Sequence, residues 1–191
     1  MQHGFLLIEM LVAVAVVLIV ATIAITERDD FSRAVALDNV AYEVALAIRQ
    51  AQSYGISSRG SDIGDDVYDF SYGVYIDVVA SQQTFRLARY STDPDGTDPN
   101  QKEVVEEYQL PERMEFVDFC LFDLDLDETG ADCSSEDGGI ILFTRPNPDA
   151  NFFTSDGDSR INENNVAVII ENDEGMSRAI ITNVTGYIYV D

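Results

Sequence analysis

The sequence predicts an α+β protein: a long N-terminal α-helix packed on a mainly antiparallel β-sheet head. Three observations lead there. Residues 5–25 are an almost unbroken apolar run. Apolar residues then recur at helical spacing, and no Pro or Gly interrupts Phe5 to Tyr54. Beyond Gly55 the pattern changes to short alternating segments rich in Val, Ile, Tyr and Phe, divided by Gly, Pro, Asn and Asp.

The first element, Phe5 to Ile25, has the roughly 20 apolar residues that an α-helix needs to span a bilayer. A secretory signal would carry a positive start, a shorter apolar core and a small-residue cleavage site after it. Here Met1–Gln2–His3 holds no Lys or Arg, and Gly4 precedes the apolar run. Glu9 is the one ionisable side chain inside it. A carboxylate in hydrocarbon is costly without a partner, so such an acid marks function. Cleavage after Gly4 would leave a positive amine on Phe5, one helical turn before Glu9. That amine, or the amine of an axially displaced neighbour, would pair with Glu9 and set the register of stacked helices.

Glu27 to Asp30 marks the exit from the apolar run. Val35, Leu37, Val40, Ala41, Val44, Ala45, Ile48 and Ala51 then form an amphipathic stripe, and Gly55 is a natural stop. This reads as one helix of about 50 residues, roughly 75 Å long, of which only the second half packs on the head. Residues 57–66 are a polar connection. Strands are expected over Val67–Ala80, Thr84–Ser91, Val104–Leu110, Met114–Leu124, Ile140–Thr144, Val166–Ile170, Arg178–Asn183 and Tyr187–Val190, with Asn172–Gly175 as a hairpin turn. Residues 93–100, the acidic stretch up to Gly138 and residues 147–164 read as loops. The domain plan is thus a leader (1–4), an apolar helix (5–25), its amphipathic continuation (26–55) and a β-rich head (56–191).

The N-terminal stretch GFLLIEMLVAVAVVLIV resembles the processing signal of type IV pilins and type II secretion pseudopilins. Gly4, Phe5 and Glu9 match its hallmark residue by residue; the leader lacks the usual basic residue, and Leu6 stands where Thr is common. The resemblance implies cleavage between Gly4 and Phe5 by a prepilin peptidase, N-methylation of Phe5, and assembly with other pilin or pseudopilin subunits on an inner-membrane platform. It implies a single-pass protein of the cytoplasmic membrane with its head outside the cytoplasm. The amphipathic continuation followed by a strand-rich head is similar to H-type minor pseudopilins and FimT-like minor pilins. Residues Phe143, Pro146 and AIITNVTGYIYV carry that likeness, while Asn147–Pro148–Asp149 replaces the Gly expected after the Pro.

Charge narrows the partners. The chain of 191 residues carries 35 acids against 11 bases, a net of −24, and residues 61–191 account for −22. Nucleic acid is bound by neutralising phosphates with Lys and Arg, so a nucleic-acid partner is not expected. Two cysteines, Cys120 and Cys133, in a domain outside the cytoplasm favour a disulfide, with two reduced thiols as the alternative. Asp123, Asp125 and Asp127 are the candidate metal ligands, with calcium as the ion, because hard oxygen donors at alternate positions suit it. They do not open an EF-hand: Glu128 stands where the sharp turn requires Gly, and Ser134 where a bidentate Glu closes the site. A solvated acidic loop is the alternative, and Ser155–Ser159 is a weaker candidate of the same kind. Asn183–Val184–Thr185 matches a glycosylation acceptor. No catalytic set is visible: the sole His lies at position 3 and no phosphate-binding Gly-rich loop occurs, so no enzyme is expected. The two function classes are a fibre subunit and a membrane-anchored binding head, the latter an adhesin or a calcium-dependent module.

Overall fold

The computed structural model describes residues 7–57, 70–93, 96–122, 134–155, 160–161 and 163–191. Among the described residues it is an α+β structure in which α1 (Leu7–Ile56) precedes eleven strands. The chain divides into two compact units, Met1–Ala36 and Leu37–Asp191. Side chains of the helical residues are described in two stretches, 7–23 and 31–56.

In the second unit the strands are β1 (Phe70–Asp77), β2 (Thr84–Asp93), β3 (Gly96–Gln109), β4 (Met114–Phe122), β5 (Ser134–Glu136), β6 (Gly138–Phe143), β7 (Ala150–Thr154), β8 (Arg160–Ile161), β9 (Asn165–Asn172), β10 (Ser177–Asn183) and β11 (Ile188–Val190). They form two antiparallel sheets, ordered β3-β2-β1-β6-β7-β8 and β11-β10-β9-β4-β5. Neither sheet is a simple meander: β1 pairs with β6, and β4 with β9.

Helical spacing decides how α1 enters the core. Leu37, Val40, Ala41, Val44, Ala45, Ala47, Ile48 and Ala51 are all buried. They share one apolar cluster with Val74 and Ile76 of β1, Phe85 and Leu87 of β2, Ile141 and Phe143 of β6, and Phe152 of β7. From the other sheet the same cluster takes Phe116 and Phe119 of β4, Val166 and Val168 of β9, Ile180 of β10 and Ile188 of β11. The helix thus touches a core shared by both sheets. Burial of each large side chain stabilises by about 1.5–3 kcal/mol. Polar contacts fix its rotation. Arg178 Nε donates to Asp38 Oδ1 at 2.6 Å, Arg49 Nη2 donates to the Ile188 carbonyl at 3.0 Å, and Gln52 Nε2 donates to the carbonyls of Pro148 and Gly186.

Several expectations need correction. Gly55 does not end α1, which runs through it to Ile56. Gly55 is there because a Cβ would stand 2.6 Å from the Phe143 carbonyl oxygen. Val35 is exposed, so the buried stripe starts at Leu37. The stretch 93–100 is not a loop throughout, since β2 reaches Asp93 and β3 starts at Gly96. The stretch 147–164 contains β7 and β8, because Phe152 and Phe153 bury on opposite faces of the six-stranded sheet. The acidic stretch before Gly138 contains β5. Eight strand stretches were expected, and eleven strands are found among the described residues. The hairpin at Asn172–Gly175 does form: Asn172 Oδ1 accepts from the N–H groups of Glu174 and Met176, and Gly175 takes φ +80°.

Candidate functional site

The first unit holds the residues on which the sequence places most weight. Every residue from Leu7 to Ile23 is exposed, all round the helix. Leu7 is 83% exposed, and Ile8, Leu11, Val17, Leu18 and Ile19 are each above 60%. Glu9 lies in the first turn of α1 and is exposed with them. Thr22 returns its hydroxyl to the Leu18 carbonyl at 2.8 Å, so its polar group is satisfied within the helix. A helix that is apolar on every face has no side suited to water, so it calls for lipid or other helices as neighbours. Among the described residues, no helix is long and apolar enough to cross a membrane. Residues 7–23 give about 25 Å at 1.5 Å per residue, against a hydrocarbon layer of about 30 Å. Phe5 and Leu6 before them, and the side chains of Ala24 and Ile25 after them, lie outside the description, as does the Gly4–Phe5 junction.

The other predicted residues divide in the same way. Cys120 is buried in β4 and is disulfide-bonded. Cys133, the second cysteine of the chain, lies outside the described residues, as do Asp123, Asp125 and Asp127. Among the described residues no three His, Cys, Asp or Glu side chains gather to hold a metal ion. Asn183 is half-buried where β10 turns into β11, and its side chain is engaged. Nδ2 donates to Asn165 Oδ1 at 2.7 Å, and Oδ1 accepts from the Thr185 N–H at 2.8 Å.

Two surface features of the head escaped the sequence reading. One is a groove of about 300 Å³ beside the helix, lined by Tyr42, Ala45, Leu46, Arg49, Tyr189 and Val190. Tyr42 and Leu46 are both more than 60% exposed, on the side of α1 that the sheets leave uncovered. Their i, i+4 spacing is the local signal for this groove. The other is an open cleft of about 550 Å³ on the outer face of the five-stranded sheet, lined by Asn165, Asn183, Thr185, Tyr187 and Tyr189. It joins residues from three strands and a turn, so no local pattern announces it.

The acidic head is partly cross-braced along β2 and β3. Arg86 Nε lies 2.9 Å from Glu107 Oε1, and Arg89 pairs with Glu103 while covering the Phe70 ring. Burial pushes the Tyr90 phenol well above the usual tyrosine range, and its hydroxyl has no hydrogen-bond partner among the described residues. Burial also raises Tyr75, with the neighbouring Asp77 carboxylate acting in the same direction. The arrangement of the Arg–Glu pairs is that of a braced sheet.

No family model matches the chain, and neither a curated protein nor a solved structure is significantly similar to it.

Proposed function

We propose that this chain is a minor prepilin-like subunit of a type IV pilus or a type II secretion pseudopilus. It is cleaved after Gly4, N-methylated at Phe5, and assembled through its N-terminal helix. The observation that carries this reading is the first unit: a helical stretch exposed and apolar on every face from Leu7 to Ile23, with Glu9 alone charged in its first turn. The Gly4–Phe5 sequence directly before it supplies the processing site. Lipid covers the helix before assembly, and the helices of other subunits cover it afterwards. In this reading α1 acts as one stalk. Its cohesion comes from burying the exposed side chains, at about 25 cal/mol per Å² of apolar surface. Register comes from Glu9 pairing with a Phe5 amine.

The partners are then other subunits, the prepilin peptidase and an inner-membrane assembly platform. The head lies outside the cytoplasm, and the chain does no chemistry of its own. Two measurements test the proposal. The N-terminal peptide of the membrane-extracted protein should have the mass of a chain starting at N-methylated Phe5. A peptide still starting at Met1, in a host with active prepilin peptidase, would overturn the processing step. Glu9→Ala should then leave the protein in the membrane and remove it from fibres, whereas unimpaired incorporation would rule out the register role.

A further inference from the structure

We infer that the cleft on the outer face of the five-stranded sheet is a binding site for a neutral saccharide. Strand register builds it in two rows. Cys120, Ala167, Ile181 and Tyr189 lie opposite one another across β4, β9, β10 and β11. In the next row Phe122 faces Asn165, and Asn165 faces Asn183. Tyr187 follows at the turn, where its carbonyl accepts from the Asn183 N–H at 2.9 Å. The apolar row supports the Tyr189 ring from below. The polar row is held in place: Asn165 is fully buried, accepts from Asn183 and donates to the Phe122 carbonyl at 3.3 Å.

The chemistry of the lining selects the ligand. Tyr187 is 65% exposed, and its ring centroid lies 5.5 Å from that of Tyr189, with 36° between the planes. Two adjacent rings with an open face are a platform for an apolar surface, and each carries a hydroxyl at its tip. Beside them stand the Asn183 amide and the exposed Thr185 hydroxyl. A pyranose has this mixture in complement, with C–H bonds across its ring faces and hydroxyls that both donate and accept round its rim. A wholly apolar ligand would take the tyrosine and Thr185 hydroxyls out of water without offering them a partner. An anion finds no base among the described residues of the lining and meets a head of net −22. A cationic ligand finds no acid among the described residues of the lining, although acids outnumber bases by 35 to 11 in the chain. The described lining is therefore uncharged in an acidic head, and with its paired rings and hydroxyls it points to an uncharged polar ligand. This inference does not rest on fibre assembly.

The test uses the full-length chain in zwitterionic lipid nanodiscs, which present no sugar headgroups. Maltotriose, cellotriose and N,N′,N″-triacetylchitotriose are titrated separately, with binding read by ligand-observed NMR. At least one should bind saturably with a Kd of about 10 mM or tighter. Tyr187→Ala should weaken that binding about tenfold or more, a loss of about 1.4 kcal/mol. Tyr187→Phe, which keeps the ring, should stay within about threefold, and Tyr42→Ala, an exposed tyrosine elsewhere, should change nothing. Because Tyr187 is exposed, its replacement should leave the fold intact, and an unchanged unfolding midpoint checks this. Absence of saturable binding by all three sugars would overturn the inference, as would binding indifferent to Tyr187→Ala.

Discussion

Tyr108 shows how a single side chain couples the sheet to the helix. Its ring stacks on Phe85 with centroids 4.7 Å apart and planes within 5°. Its hydroxyl donates to Gln50 Oε1 at 3.3 Å, and Gln50 Nε2 donates to the Tyr54 hydroxyl at 2.9 Å. Burial, with the Glu106 carboxylate acting in the same direction, pushes the phenol up to about 12. An unfolded tyrosine ionises near 10. The folded state therefore holds its proton more tightly, and the stability this contributes is complete below about pH 10 and lost as pH rises towards 12. Tyr75 and Tyr90 are shifted in the same direction and share this alkaline limb. Tyr108→Phe keeps the stacking and removes one of the three groups. Urea-unfolding midpoints from pH 9 to 11 should fall less steeply in the variant; an identical slope would mean that Tyr108 titrates alike in both states.

At the scale of elements, the second half of α1 is held by close approach to the sheets. Gly55 tests this because two effects oppose each other there. Alanine is favoured over glycine inside a helix by about 1 kcal/mol. A Cβ at position 55 would meet the Phe143 carbonyl oxygen at 2.6 Å and the Phe143 Cβ at 2.9 Å, and neither belongs to the free end of a flexible side chain. Crowding of this kind typically costs about 1–3 kcal/mol, so the net effect of Gly55→Ala should be a loss of stability in chemical denaturation. A gain would show that α1 can shift away from β6 at little cost.

The buried stripe of α1 and the β9–β10 hairpin were legible in the sequence because each has a strong local signature: 3.6-residue spacing in one, and Asn-Asp-Glu-Gly between apolar runs in the other. β7 and β8 were not legible. Phe152–Phe153 sits among Pro, Asn and Asp residues, and two adjacent aromatics show no alternation. Pairing with β6 makes β7 a strand, and that contact is tertiary. The split into two sheets was hidden for the same reason, since β1–β6 and β4–β9 join segments more than 40 residues apart. At the candidate sites, Gly4, Phe5 and Glu9 could be proposed from sequence because the signal they resemble lies in spacing along the chain. The outer-face cleft could not, because Asn165 and Tyr187 meet only through the registers of β9, β10 and β11.

For the whole molecule the governing quantity is charge. A net of −24 repels itself, and the repulsion is largest in the compact state. Among the described residues, pairs such as Arg86–Glu107 and Arg113–Asp173 are solvent-facing, so they offset little of it. Salt should therefore stabilise this protein. Screening lengths fall from about 30 Å at 0.01 M to about 3 Å at 1 M, so the thermal midpoint should climb across that range of NaCl and level off near its top. A flat response would mean that the acids lie too far apart to interact. Calcium separates diffuse screening from a specific site. With repulsion already screened in about 0.5 M NaCl, about 1 mM CaCl2 adds almost nothing to ionic strength, and diffuse charge alone predicts no further change. An ion bound only by the folded state would add stability as its concentration exceeds its Kd. A calcium-specific rise that Asp125→Asn abolishes would place a site at Asp123, Asp125 and Asp127. The same rise surviving in Asp125→Asn would move the search to other acids of the head.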